Sequence, residues 1–149
     1  MTSRRRATRL PRGTARVFRT GSRDAIDIRQ TPTGDVGLLY SGERIEAVWV
    51  SKDAEKIDRG WFQYPRVDII AVLKGRLKVE FRGKSAPPRV LRPGDVLVLL
   101  PRTACRAYRW PRNATRPTVF LAVYRKTGAK RDSDEGEGRP AGRSRGHTG

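Results

Sequence analysis

Histidine is almost missing from this chain of 149 residues, and the single one, His147, stands near the C-terminal end. Imidazole is the commonest metal ligand and the usual general base near neutral pH. Its scarcity argues against the ordinary forms of both chemistries in a folded core. One cysteine, Cys105, excludes an intramolecular disulfide and fits a reducing compartment. No run of 18 apolar residues occurs, so no membrane-spanning helix is expected. The opening MTSRRRATRLPRGTARVF has the arginine pair of an export signal but no apolar stretch after it. Pro11 and Gly13 also break the amphipathic helix that a transit peptide needs, so the expected location is the cytoplasm.

What is abundant is positive charge. Lys and Arg number 33 against 15 Asp and Glu, for a net charge of +18. Its distribution divides the chain. Residues 1–23 carry eight arginines and no acid. They read with residue 24 as a basic disordered arm, 1–24. The sequence KTGAKRDSDEGEGRPAGRSRGHTG has almost nothing to bury, so 127–149 reads as a disordered polar tail. Between them, 25–126 is one domain's worth of foldable chain. The arm, with Arg4, Arg5, Arg6, Arg9 and Arg12, is the candidate for weak, salt-dependent and sequence-tolerant binding to nucleic acid or another polyanion. Only Phe18 interleaves an aromatic ring there, which gives base stacking little support.

The central region alternates short apolar runs with turn signals: VGLLY (36–40), RIEAVWV (44–50), RVDIIAVL (66–73), RLKVEFR (76–82), VLVLL (96–100), CRAYR (105–109) and TVFLAVY (118–124). Runs of this length, with no credible long helix between them, predict an all-β sandwich or barrel. RLKVEFR alternates strictly, with Leu77, Val79 and Phe81 on one face and charged residues on the other. VLVLL and TVFLAVY are apolar on both faces. One face is covered by the barrel interior, and a homodimer is expected to cover the other. Lys74-Gly75 predicts a hairpin, Pro93-Gly94 a type II turn, and SKDAEKIDRG a loop with room for one helical turn.

A carboxylate, Asp68, seven residues before the hairpin Gly75, and Gly94 inside LRPGDVLVLL carry a resemblance to the cupin superfamily over residues 60–124. The resemblance implies a cupin-type β-barrel or jelly roll. It also implies a divalent metal held by three histidines and a glutamate. Matched to this sequence, the first two histidine positions fall on Phe62 and Tyr64 and the glutamate on Asp68. The last histidine falls on Cys105 when counted without a gap from Gly94, and on Arg106 when anchored on Pro101. Cys105 is preferred, because the second choice inserts a residue into a strand and swaps its faces. With every imidazole replaced, no metal or other cofactor is expected.

The expected site is therefore a pocket for a small organic ligand, lined by Phe62, Tyr64, Asp68, Cys105 and Arg106, in a binding or regulatory protein. Trp49, Trp61, Tyr108 and Trp110 are candidates to crowd the same region. Asp68 needs compensation for its burial. Arg66, Arg106, the Tyr64 hydroxyl and water are the candidates. An alternative is a metal-independent isomerase or epimerase with Asp68 as base and Tyr64 as acid, as sugar-nucleotide epimerases among cupin relatives imply. In that family the base is a histidine, which this barrel lacks.

Overall fold

The computed structural model describes residues 15–20, 23–57, 60–83 and 86–126. The arginines at 4, 5, 6, 9 and 12, His147 and the C-terminal tail lie outside the described residues. Nine strands follow one another: β1 (Asp27–Thr31), β2 (Gly34–Ser41), β3 (Ile45–Lys52), β4 (Asp68–Lys74), β5 (Arg76–Phe81), β6 (Arg89–Leu91), β7 (Val96–Leu99), β8 (Cys105–Trp110) and β9 (Thr118–Arg125). They form a six-stranded sheet in the order β1-β2-β3-β9-β4-β7 and a three-stranded sheet in the order β6-β5-β8. Every pairing of strands is antiparallel. No helix is present among the described residues, so SKDAEKIDRG forms no helical turn there. None is long and apolar enough to cross a membrane.

All seven apolar runs form strands. Two further strands are β1 and β6, at one edge of each sheet. Their sequences, DIRQT and RVL, are short and mostly exposed, and carry little of the alternation that marks a half-buried strand. The turn residues act as expected. Gly75 takes φ 73° between β4 and β5, and Gly94 takes φ 100° ahead of β7, a region that side chains avoid.

Alternation sorts the side chains between the two faces. Ile70 and Val72 of β4, Leu77 and Val79 of β5, Leu99 of β7 and Phe120 of β9 meet in one core between the sheets. Each such side chain contributes about 1.5–3 kcal/mol on leaving water. The outer face of the six-stranded sheet is different. There the register sets Val98, Ile69, Val123, Ala47 and Tyr40 in one row across β7, β4, β9, β3 and β2. A second row runs Val96, Ala71, Leu121 and Trp49, with Trp49 seated over Gly37 of β2. Trp49 is buried, whereas Ile69 remains 44% exposed, Val98 53% and Val96 59%. Within this single chain the second face of VLVLL is therefore left open.

Candidate functional site

The inward alternation of β4 continues backwards beyond its first residue. Asp68 opens the strand facing the core, and the same side carries Arg66, Tyr64 and Phe62 from the segment before it. That segment is not a regular strand, yet it is held at defined points. Phe62 pairs with Cys105 through two backbone bonds, Phe62 N to Cys105 O at 2.8 Å and Cys105 N to Phe62 O at 3.0 Å. Arg102 N donates to Tyr64 O at 2.7 Å. The Phe62 and Tyr64 rings then lie parallel, with centroids 6.5 Å apart.

Arg66 occupies the centre. Its guanidinium carbon stands 4.4 Å from the centroid of the Tyr64 ring and 4.0 Å from that of Tyr124. Its Nε donates to Asp68 Oδ1 at 3.2 Å. Tyr124 lies directly across from Asp68 in the β4–β9 register, and its hydroxyl donates to Glu46 Oε1 at 3.1 Å. Glu46 is in turn the register partner of Tyr124 on β3. The result is a cation held by two aromatic faces and one carboxylate, with a second carboxylate behind one of the rings. Aromatic quadrupoles and a paired carboxylate are what a guanidinium needs on leaving water.

Electrostatics follow from burial. The side chains of Arg66 and Asp68 are 9% and 12% exposed. Desolvation raises the Asp68 carboxyl above its ordinary range, against the opposing pull of the Arg66 charge and its hydrogen bond. The Cys105 thiol is pushed up to about 11, first by burial and then by the nearby Asp68 charge. A thiol held there is protonated at neutral pH and is not a nucleophile. Burial also raises the Tyr124 hydroxyl, with the Glu46 charge acting in the same direction.

The site does not fit the metal that the fold resemblance implies. No three His, Cys, Asp or Glu side chains converge among the described residues. Phe62 offers no donor atom, Cys105 is a lone buried thiol with no second sulfur or imidazole beside it among the described residues, and the one inward carboxylate of β4 already faces the Arg66 cation. A second cation beside that guanidinium would be repelled.

Of the residues expected to line the site, the structure brings Phe62, Tyr64, Asp68 and Cys105 to one side of the chain. Arg106 is placed elsewhere. It pairs with Glu80 across β5 and β8 on the outer face of the three-stranded sheet, with Nε 2.7 Å from Glu80 Oε1 and its guanidinium over Trp61. Tyr108 donates to the same carboxylate, Oε2, at 2.7 Å, and Lys78 lies over Trp110. Trp61, Tyr108 and Trp110 therefore belong to this outer network, and Trp49 to the outer face of the larger sheet. Sequence reasoning named Arg66 as one of several partners for Asp68 and passed over Tyr124 and Glu46. Both were accessible to it: alternation in TVFLAVY puts Tyr124 on the side of Phe120, and alternation in RIEAVWV puts Glu46 on the side of Val48.

No protein-family model matches the chain, and no curated protein matches it. Solved structures do. An RmlC-like cupin from Shewanella frigidimarina NCIMB 400 aligns with TM-score 0.59 at 17% identity, over 80% of this chain and 96% of that one. KdgF from Halomonas sp. aligns with TM-score 0.57 at 20% identity, over 72% of this chain and 92% of that one. A mannose-6-phosphate isomerase-like protein from Ralstonia eutropha JMP134 aligns with TM-score 0.55 at 24% identity, over 67% and 92%. At these identities the likeness speaks to the fold alone.

Proposed function

We propose that this chain, a cupin by fold, is a metal-independent binding or regulatory protein for a small organic ligand bearing a carboxylate, received by Arg66. The observation that carries the reading is the buried guanidinium standing between Tyr64 and Tyr124. Asp68 takes its Nε, and no other acceptor meets Arg66 among the described residues. The Nη groups remain as a planar fork, which matches a carboxylate in two parallel bonds. Phe62, Tyr64 and Cys105 supply the apolar wall that such sites use around a few fixed polar groups. Asp68 positions the guanidinium and balances its charge.

Two measurements on the full chain test this. Protein purified without chelator or added metal is expected to hold no stoichiometric metal. Calorimetric titration with a panel of small carboxylic acids, with their amides as controls, is expected to find acids that bind and amides that do not. Arg66→Gln is expected to abolish that binding. Stoichiometric Fe, Mn, Ni or Zn lost on Asp68→Ala would overturn the proposal, as would acid binding untouched by Arg66→Gln.

The raised Asp68 carboxyl favours a second reading, acid–base isomerisation with Asp68 as base and Tyr64 as acid. The Arg66 bond to Oδ1 weighs against it, because a base held by a cation is a weaker base. Turnover of sugar nucleotides that disappears in Tyr64→Phe is the result that would favour it.

A further inference from the structure

Among the described residues, two buried side-chain polar atoms have no hydrogen-bond partner, and one of them belongs to a cation, Arg109 Nε. Arg109 is the register partner of Leu77, which is 0% exposed, so its side chain turns inward from β8 on the side of Cys105. Four residues separate it from Cys105 along that strand, about 13 Å at 3.3 Å per residue. Its neighbour Trp110 pairs with Arg76, whose carbonyl accepts from Thr118 Oγ1 at the start of β9. The cluster around Arg66 is at the opposite end, where Phe62 meets Cys105 and Asp68 meets Tyr124 near the finish of β9.

The two arginines are comparably buried and differently provided for. Arg66 has a carboxylate and two aromatic faces. Arg109, 7% exposed, has neither an acid nor a ring among the described residues. Its Nη2 donates to Arg112 O at 2.6 Å, and that carbonyl is its single acceptor there. A guanidinium cannot shed its proton to escape burial, and one carbonyl dipole does not neutralise it. A charge buried without a counter-charge is costly. The surroundings do not supply one. Arg112 and Arg116 lie in the connection from β8 to β9, and Glu55 meets Arg112 Nε through its backbone carbonyl, at 3.1 Å, rather than through its carboxylate.

We infer that Arg109 anchors a separate anion site, which takes a small free oxyanion of the phosphate or sulfate kind. One of its five N–H groups is used, so at least one parallel pair of donors remains. Such a pair matches two oxygens on one centre and does not match a spherical halide. A side chain this enclosed admits a free ion more readily than the end group of a large molecule. A chain of net charge +18 draws anions towards it. Arg109 holds the Arg112 carbonyl, and Arg112 holds that of Glu55. An ion on Arg109 therefore braces the connections after β8 and after β3 together. The site does not depend on the ligand proposed at Arg66.

Calorimetric titration and thermal denaturation of the full chain test the inference, with inorganic phosphate or sulfate exchanged for chloride at constant ionic strength. Phosphate is expected to raise the Tm saturably where chloride does not, and to show one binding site that requires Arg109. Arg109→Met is expected to lose both. Should Arg109→Met fail to fold, Arg109→Lys replaces it: the charge stays, the fork goes, and phosphate is expected to bind at least ~10-fold more weakly. Asp58, outside the described residues, stands in the same connection as Glu55 and is the chain's own alternative source of a carboxylate. Asp58→Asn is expected to leave the phosphate effect unchanged. A phosphate effect no larger than that of chloride overturns the inference, as does one that survives intact in folded Arg109→Met or Arg109→Lys. So does an Asp58→Asn change that destabilises the wild type and not the Arg109→Met chain, because the counter-charge is then the chain's own.

Discussion

Replacing Arg66 by methionine keeps most of the volume of the side chain and removes its charge, and the cost depends on pH in a direction the structure fixes. Arg66 and Asp68 are both close to nine-tenths buried. Deleting one member of such a pair costs about 3–5 kcal/mol when the other stays ionised. Asp68 has an escape, because it can take up a proton. Its carboxyl is already raised by burial, and the two influences that hold it down both come from Arg66. In Arg66→Met they vanish and the folded-state pKa climbs further. A carboxyl whose pKa is higher folded than unfolded binds more protons in the folded state. Stability therefore falls as pH rises from the unfolded value, 3.8, towards the folded one, by about 1.4 kcal/mol per pH unit, and levels off above it.

Arg66→Met is thus expected to lose about 2–4 kcal/mol at pH 8 and clearly less at pH 5. For a domain of roughly 100 residues that is a fall in Tm of about 10–25 °C at the higher pH. Asp68→Asn in the Arg66→Met background is expected to restore about 1–3 kcal/mol at pH 8, because the unpaired carboxylate is gone. Urea denaturation of the four chains of this cycle at pH 5 and pH 8 reads all of these quantities. Equal losses at the two pH values, or a double variant less stable than Arg66→Met alone, would refute the account of Arg66 as the compensating charge.

Three other outcomes are expected. Gly37→Ala would bring a Cβ to 2.2 Å from Trp49 Cε2, so the buried indole must move, and thermal denaturation should show a loss of about 1–3 kcal/mol. Cys105 should resist a thiol-reactive chromophore in the folded protein at pH 8 and react fully in denaturant, since its folded-state pKa of about 11 and its burial both suppress the thiolate. Glu80 is held below its ordinary range by the Tyr108 hydrogen bond and then by Arg106, so its contribution is present above about pH 4.5 and lost as pH falls through the lower folded value. Because the pair is partly exposed, Glu80→Gln is expected to cost at most ~1 kcal/mol at pH 7 and nothing measurable at pH 3.

Much of this fold was legible because a half-buried strand writes its own period. RLKVEFR declared its inward face, and Gly75 and Gly94 marked turns that only glycine makes cheaply. β1 and β6 were not legible, because edge strands with exposed side chains need no apolar alternation. For the site, the spacing from Asp68 to Gly75 and from Gly94 to Cys105 located the residues along the chain. The direction of the segment before β4 was harder to read. Its alternation is enforced by the Phe62–Cys105 pairing, a contact between residues 43 positions apart that no local pattern reports. The same lack hid the fate of Arg106, whose face depends on the β8 register.

The guanidinium held between Tyr64 and Tyr124 has a lasting consequence for what can approach it. A positive charge carried on a side chain cannot be stripped by a chelator, exchanged for a neighbour in the transition series or left unloaded in a metal-poor cell. It is also flat and singly charged, rather than a compact divalent sphere, so under the proposed reading it favours a planar carboxylate over a guest that needs a polarising point charge. Lysine would keep the sign and lose both the plane and the stacking on Tyr64 and Tyr124.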